Sequence, residues 1–269
     1  MLLCWGDPVS TRPVAVNDKF DSYYMRLQGC SSIKEGVEIL TEVGGEIGFP
    51  LLGVASDLST SNILHDEDGR PISESAGWPR SFINEWVKDN YTLQDPITIR
   101  CQLENLPFFC DLRQMIDADS LCRPQKKIIR KWLHVGVQQV VAVPVHLPRA
   151  RVAAVAFASK GGHPQPFDVH EWSGRLLAIG HLFMDIAMRN EAGRQAPHVP
   201  VHLTPREVEC LTWAAHGKSD QIIAAICALS PATVRSYIDS AASKLGATTR
   251  TQAVSVASSL GLISRSTLN

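Results

Sequence analysis

The side chains best suited to specific polar contacts in this chain of 269 residues lie between residues 218 and 250. They are Lys218, Thr233, Arg235, Ser236, Asp239, Lys244 and Arg250. A guanidinium such as that of Arg235 can donate two parallel hydrogen bonds to a guanine edge, and hydroxyl groups can reach bases or phosphates. The lysines and Arg250 can neutralise phosphates. These residue types predict contact with a nucleic acid.

Four short helices between residues 203 and 263 are predicted to position these side chains. The T-P-x-E sequence at 204–207 supplies an N-cap, a proline at the first helical position and a capping-box glutamate, so a helix begins there. Ser219 caps a second helix. The pair at 230–231 repeats the cap and the proline, and begins a longer helix that ends at Gly246. The second and third helices therefore predict a helix-turn-helix.

The third predicted helix has an apolar side and a side of small and polar residues. Its apolar stripe consists of Val234, Ile238, Ala241, Ala242 and Leu245. Ala232 and Ser243 lie on the opposite side, where small residues let the backbone approach base edges in a major groove. Residues 201 to 269 contain six Lys/Arg against four Asp/Glu and are only mildly basic. A helical interaction module without nucleic acid is therefore the alternative.

Several short sequences in this segment match one family pattern. They are LTPRE at 203–207, Leu211, Gly217, TVR at 233–235, KLG at 244–246, RTQA at 250–253 and the closing LGLI. The segment resembles the LuxR-type DNA-binding domain, which implies that 231–245 is the recognition helix. By this resemblance, Glu207, Leu211 and Gly217 are framework positions. The segment departs from the family at Ile222, Ala228 and Tyr237, where Glu, Gly and His are usual.

Length and composition suggest two folded domains in a reducing compartment. A chain of 269 residues with 45% apolar and 20% charged residues can form two cores. The seven cysteines are scattered without C-x-x-C spacing, which argues against a disulfide framework or a zinc site. The N-terminus lacks the basic region of a targeting signal, and no apolar run approaches the roughly 18 residues of a membrane helix. The sequence predicts a soluble, cytoplasmic protein without a membrane partner.

The first 190 residues predict an α+β fold. Helices are expected at 17–28, 32–47, 79–90, 119–134 and 168–190, and strands at 51–58, 107–112 and in a hairpin formed by VVAVPVHL and RVAAVAFAS. Helices on either side of an antiparallel sheet make an α-β-α sandwich, an architecture that often encloses a small-molecule pocket. The basic residues of 119–134 are interpreted as a solvated helix face.

The order of residues in this half is also that of a known domain. Pro79, a helix, Tyr91, Asp95-Pro96, Pro107-Phe108, Gly136 and Pro144 follow one another. This order resembles the LuxR autoinducer-binding domain, which implies a five-stranded sheet around an acyl-homoserine-lactone cavity. The predicted organisation is a regulatory domain at 1–189, a linker at 190–202 and a helix-turn-helix domain at 203–269.

The residues at the family's pocket positions depart from its pattern. The candidate pocket residues are Phe82, Trp86, Tyr91, Asp95, Pro96, Cys110, Val140 and Ala156. Phe82 stands where an indole N–H would donate to the lactone carbonyl, and Val140 adds bulk where a glycine is usual. These departures predict a pocket that does not bind a conventional acyl-homoserine lactone. A regulator that responds to such a lactone or to another small molecule, and one controlled by partner proteins, are the alternatives.

The sequence contains no catalytic pattern. It has no G-x-S-x-G, H-E-x-x-H, P-loop or strand-linked G-x-G-x-x-G, so we expect neither an enzyme nor a resident metal or cofactor. A phosphorylated receiver domain would need an acidic pair after its first strand, whereas residues 66–68 are predicted in a loop. We expect a homodimeric transcriptional regulator that binds double-stranded DNA at a dyad-symmetric operator, with RNA polymerase as a candidate further partner.

Overall fold

The computed structural model describes residues 18–148, 150–161, 167–192 and 201–263. Their buried hydrophobic side chains form two clusters, one between residues 20 and 187 and one between residues 203 and 263. Each cluster is the core of one domain. The predicted linker at 190–202 lies mostly outside the described residues, and its first three residues continue the preceding helix, which runs to Ala192.

The first domain is the predicted α-β-α sandwich. Its helices are α1 (Asp18–Gly29), α2 (Ile33–Glu46), α3 (Ile72–Ser75), α4 (Arg80–Lys88), α5 (Pro96–Leu103), α6 (Leu112–Asp117), α7 (Arg123–His134) and α8 (Val169–Ala192). Its strands are β1 (Leu51–Ala55), β2 (Phe108–Asp111), β3 (Val137–Leu147) and β4 (Arg151–Lys160). The α+β assignment and the β3–β4 hairpin are therefore confirmed.

The sheet is antiparallel, with strand order β1-β4-β3-β2. The described residues form four strands, so the expectation of five is wrong for this part of the chain. Between β1 and α3, the only β-type pairing of the chain is an isolated bridge between His65 and Pro71. The Asp66 carboxylate accepts from the backbone N–H groups of Asp68 and Arg70, at 3.0 and 2.8 Å. Because these N–H groups are satisfied locally, the segment closes a small hairpin instead of extending the sheet.

The two faces of the sheet carry side chains of different size. Helices α1, α2 and α8 cover one face, where Leu176, Ile179 and Phe183 of α8 are buried. A Cβ atom on Gly180 would lie 3.1 Å from Val145 and 3.2 Å from Val143, so this glycine allows α8 to approach β3 closely. The other face carries small residues opposite α5. Gly53 pairs with Ala156, and Ala156 pairs with Ala142 across the next strand.

The second domain consists of α9 (Pro205–Ala215), α10 (Asp220–Cys227), α11 (Pro231–Lys244) and α12 (Arg250–Ser259). The chain bends by 104° between α10 and α11, within the range of a helix-turn-helix. Ala228 makes the turn in the left-handed conformation, with φ of 54°. Among the described residues, no single helix is long and apolar enough to span a membrane, and the bent α10–α11 pair meets that criterion only by its joint length and composition.

Candidate DNA-binding surface and ligand pocket

Short-range side-chain bonds begin each helix of the second domain. Thr204, Ser219, Ser230 and Thr249 each accept a hydrogen bond from the backbone N–H three residues later. Such caps satisfy N–H groups that a helix start leaves without partners. The local sequence therefore sets where α11, the predicted recognition helix, begins.

The side of α11 that faces away from the core is the one predicted from the sequence. Val234, Ile238 and Ala241 are buried, whereas Arg235, Ser236 and Asp239 are exposed. The Arg235 side chain is 75% exposed. Thr233 is half-buried, and its hydroxyl lies 2.8 Å from that of Ser230. This face offers a fork of guanidinium donors beside small polar groups, which suits the edges of bases.

Asp220 connects the recognition helix to the start of α12. Its carboxylate lies 3.6 Å from Arg235 Nε and also accepts a hydrogen bond from Arg250. Arg250 donates a second bond, of 2.7 Å, to the carbonyl of Lys218. The structure therefore gives Arg250 a role in holding α10 against α12, which limits its freedom to contact a phosphate.

Glu207 is buried and connects α9 to α11. Its carboxylate accepts hydrogen bonds from Lys244 at 2.8 Å, from Ser240 at 2.7 Å and from the Thr204 N–H at 2.7 Å. Burial alone would raise the pKa of Glu207, but these hydrogen bonds outweigh it and lower the pKa to about 2. Lys244, a predicted phosphate contact, thus also neutralises a buried carboxylate.

A pocket of the first domain lies between the small-residue face of the sheet and the aromatic side chains of α4 and α7. The pocket encloses a cavity of about 120 Å³. Gly53, Ala55, Ala142, Ala154 and Ala156 are the small sheet residues that line it. These short side chains leave the space open, and we refer to them as the alanine floor.

Aromatic rings form much of the remaining wall. Trp78 stacks on Phe82 with ring centroids 5.3 Å apart, and Trp132 packs edge-on against Trp78 and Trp86. All three indole N–H groups have protein acceptors: Trp78 donates to the Leu52 carbonyl, Trp86 to the Thr92 hydroxyl and Trp132 to Asp95. The indoles therefore contribute mainly apolar surface to the pocket.

Asp95 is fully buried at the pocket and caps α5. One carboxylate oxygen accepts from Trp132 Nε1 at 3.2 Å, and the other from the Thr98 N–H at 2.9 Å. Burial raises the pKa of Asp95 to about 6, although these N–H donors act in the opposite direction.

Four of the eight candidate pocket residues line the cavity and four do not. Phe82, Trp86, Asp95 and Ala156 line it. The other four, Tyr91, Pro96, Cys110 and Val140, are not among its lining residues. The ring of Tyr91 packs on Trp86 and its hydroxyl bonds to Asp89, while Pro96 begins α5. Cys110 and Val140 pair between β2 and β3, whereas most of the alanine floor lies on β1 and β4.

Sequence reasoning missed several lining residues, among them Trp78, Trp132, Ser61 and Ser73. A signal for Trp132 was present, because the basic helix α7 also carries Ile128 and Ile129, which are buried with it. No comparable pattern marks the two serines, which lie in a turn-rich segment. Among the described residues, no group of three or more His, Cys, Asp or Glu side chains could hold a metal ion.

Both domains match family models and known proteins. Residues 35–186 match the model for the autoinducer binding domain, and residues 201–257 match that for bacterial regulatory proteins of the luxR family. The quorum sensing-dependent transcriptional regulator VjbR of Brucella ovis is 49% identical over 91% of this chain and 94% of its own length. The corresponding regulator RpaR of Rhodopseudomonas palustris is 29% identical over 70% of this chain and 73% of its own length.

A solved structure shows the same fold. Escherichia coli SdiA superposes with a TM-score of 0.59 at 16% sequence identity, over 91% of this chain and 98% of SdiA. The autoinducer-binding match covers more than half of the chain, and the VjbR match extends over nearly all of it. These proteins are regulators and not enzymes. The chain therefore belongs to the LuxR family of quorum-sensing transcriptional regulators.

Proposed function

We propose that the protein binds a dyad-symmetric operator as a homodimer and that α11 enters the major groove. The observation that supports this most directly is the exposed face of Arg235, Ser236 and Asp239 on the second helix of the helix-turn-helix. One short helix contacts too few bases for useful specificity, and two such helices across a two-fold axis multiply the discrimination.

The base-reading role is tested by comparing Arg235→Ala with Lys218→Ala. Loss of the Arg235 guanidinium should cost about 1–3 kcal/mol at one base position of the operator. Lys218→Ala should weaken binding to operator and random DNA alike, because a phosphate contact carries no sequence information. Lys218 is a better choice than Lys244, since Lys244 also pairs with buried Glu207. Equal losses on operator and random DNA for both variants would contradict the assignment of α11.

The proposed dimer surface is the outer side of α1 together with the outer side of α8. The apolar stripe of α8 cannot make this contact, because Leu176, Ile179 and Phe183 are buried inside the domain. Tyr24 and Met25 on the neighbouring α1 are large hydrophobic residues that remain 36% and 64% exposed. Met25→Glu should convert the dimer to a monomer in sedimentation experiments. Footprinting that shows one half-site protected by a monomer at saturation would refute the dimer.

We further propose that the pocket does not bind a conventional acyl-homoserine lactone. At the family's lactone-binding positions, Phe82 has no N–H to donate and both Asp95 oxygens already accept a hydrogen bond, and the three indole N–H groups of the pocket bond to protein acceptors. Buried polar groups of a lactone left without partners would cost about 1–3 kcal/mol each. The protein should bind its operator without added lactone. Calorimetry that shows submicromolar binding of any acyl-homoserine lactone would overturn this proposal.

A second candidate function is a regulator that responds to a small molecule other than a lactone. The presence of a cavity favours this function over control by partner proteins alone. Its wall is mostly apolar, and the residues of the alanine floor do not fill it. Apolar cavities with a few polar groups are typical of small-ligand sites.

A further inference from the structure

Two serines that line the pocket have hydroxyl groups without a protein partner. The Oγ atoms of Ser61 and Ser73 are shielded from solvent, and neither forms a hydrogen bond with the described part of the chain. A buried hydroxyl without a partner is unfavourable, and most such groups in folded proteins are satisfied. A molecule in the cavity is the partner that the pocket itself could supply to these two groups.

A fixed hairpin holds both serines in place. Ser61 precedes and Ser73 follows the turn at 64–72, whose two sides are joined by the bonds Asp66 N to Arg70 O, of 2.9 Å, and Ile72 N to Leu64 O, of 3.1 Å. The Glu67 carboxylate in that turn accepts from the first N–H groups of α2. Because the hairpin is tied to α2 and closed internally, the two hydroxyl groups are preorganised.

The remaining lining residues restrict the charge of any ligand. They are mostly apolar, and those described include no Lys, Arg or His. Asp95 is the carboxylate among them, and its oxygens already have donors. An anionic ligand would lose its hydration without gaining a counter-charge, which is strongly unfavourable. The pocket therefore favours a neutral molecule.

Ser61 lies at the boundary between the pocket and a more open surface groove. Ser61, Asn62, Ile63 and Ile83 line both the cavity and this groove. These four residues form the wall that the two spaces share. A ligand held by Ser61 would thus lie with its polar end near this wall and its apolar part toward the alanine floor.

We propose that the pocket binds a neutral, mostly apolar molecule through a hydroxyl group that bonds to both Ser61 and Ser73. One ligand hydroxyl can donate to one serine and accept from the other, so a single group satisfies both. This inference rests on the proposed role of the first domain as a sensor of a small molecule other than an acyl-homoserine lactone. It differs from lactone recognition because the polar anchor lies on the 61–73 hairpin and not at Asp95.

The test uses two probes that differ by one hydroxyl group, 4-propylphenol and propylbenzene. Binding to the full-length protein is followed by tryptophan fluorescence, because Trp78, Trp86 and Trp132 line the cavity. We expect the wild type to bind 4-propylphenol about tenfold more tightly than propylbenzene. The double variant Ser61→Ala/Ser73→Ala should bind both probes with similar affinity. Ser59→Ala is the matched control, because Ser59 is exposed and bonds to Asp57, and it should keep the preference.

Three outcomes would overturn the proposal: no binding of either probe, equal binding of both by the wild type, or a preference that survives in the double variant.

A second measurement is the melting temperature without probe. Ser61→Ala/Ser73→Ala should melt at a higher temperature than the wild type, since it removes two costly groups; a lower melting temperature would identify the serines as structural. Lactone binding or a failure to bind the operator would refute the proposed function while leaving the comparison of the two probes unchanged.

Discussion

The two domains differ in how far apart in the chain their functional residues are. In the DNA-binding domain, each helix begins at a cap that bonds three residues ahead, and those caps set where the exposed face of α11 starts. In the regulatory domain, the pocket depends on pairs such as Leu52 with Trp78 and Asp95 with Trp132. Contacts between residues close in the chain therefore determine the exposed face of α11, whereas tertiary packing determines the pocket.

The two buried acids show the same difference in energetic terms. Glu207 has a lysine, a hydroxyl and a backbone N–H as partners, and its pKa is lowered. Asp95 accepts only neutral N–H donors in an apolar setting, and its pKa is raised. The DNA-binding domain thus stabilises the ionised form of its buried carboxylate, Glu207. In the regulatory domain, burial beside the pocket destabilises the ionised form of Asp95.

The largest change in stability is expected from Glu207→Ala in the DNA-binding domain. This change leaves Lys244 without its buried partner and removes the bonds that connect α9 to α11, so the DNA-binding domain should lose about 3–5 kcal/mol of unfolding free energy. Urea unfolding followed by Trp213 fluorescence measures it, since Trp213 is the tryptophan of this domain. Glu209→Ala, which removes an exposed ion pair with Arg206, should cost less than about 1 kcal/mol. Similar losses for both variants would contradict the role assigned to Glu207.

The second prediction is that the two domains respond to pH in opposite directions. Folded Asp95 binds its proton more tightly than the unfolded chain, so the regulatory domain should lose about 3 kcal/mol as pH rises from about 4 to about 6. Folded Glu207 binds its proton less tightly, so the DNA-binding domain should lose stability as pH falls from 4.5 toward 2.

Urea unfolding of a Trp213→Phe variant isolates the regulatory domain for this measurement. Asp95→Asn should remove its pH dependence between pH 4 and 6, because an amide does not titrate there. A slope of the same size in Asp95→Asn would assign the effect to another group.

The smallest change in stability is expected at two residues of the DNA-binding domain whose backbone has the left-handed conformation. Ala228 has φ of 54° and Gly217 has φ of 75°. Ala228→Gly should therefore stabilise the domain by about 1 kcal/mol, and Gly217→Ala should destabilise it by a similar amount. A Cβ atom at Gly217 would contact nothing within 4 Å, so the change reports backbone strain alone. Thermal unfolding of both variants checks the signs, and equal signs would contradict the argument.

The sequence predicted the start of α11 and which of its sides is exposed, because the signals for both are local. Ser230 and Pro231 mark the start of α11, and the stripe of Val234 and Ile238 distinguishes its buried side from its exposed side. The same reasoning did not anticipate that Arg250 and Lys244 have structural partners, since Asp220 and Glu207 lie 30 and 37 residues away from them.

The pocket was predicted only in part because chain order does not show which end of a sheet is open. Ala156 was identified from its strand, but Cys110 and Val140 lie on the same sheet away from the cavity. The position of Ser61 and Ser73 depends on how the 61–73 hairpin folds over α4, and no sequence periodicity encodes that arrangement.

The alanine floor also has a consequence for how this regulator can change over evolutionary time. Ala142, Ala154 and Ala156 stand on paired strands, so exchanging any of them for valine or leucine would fill the cavity with two or three more carbon atoms while the strand pairing holds the backbone in place. Single-nucleotide changes convert an alanine codon to a valine codon. Relatives that share this sheet can therefore diverge in the molecules they detect by one mutation at a time, while the DNA-binding domain and its operator stay the same.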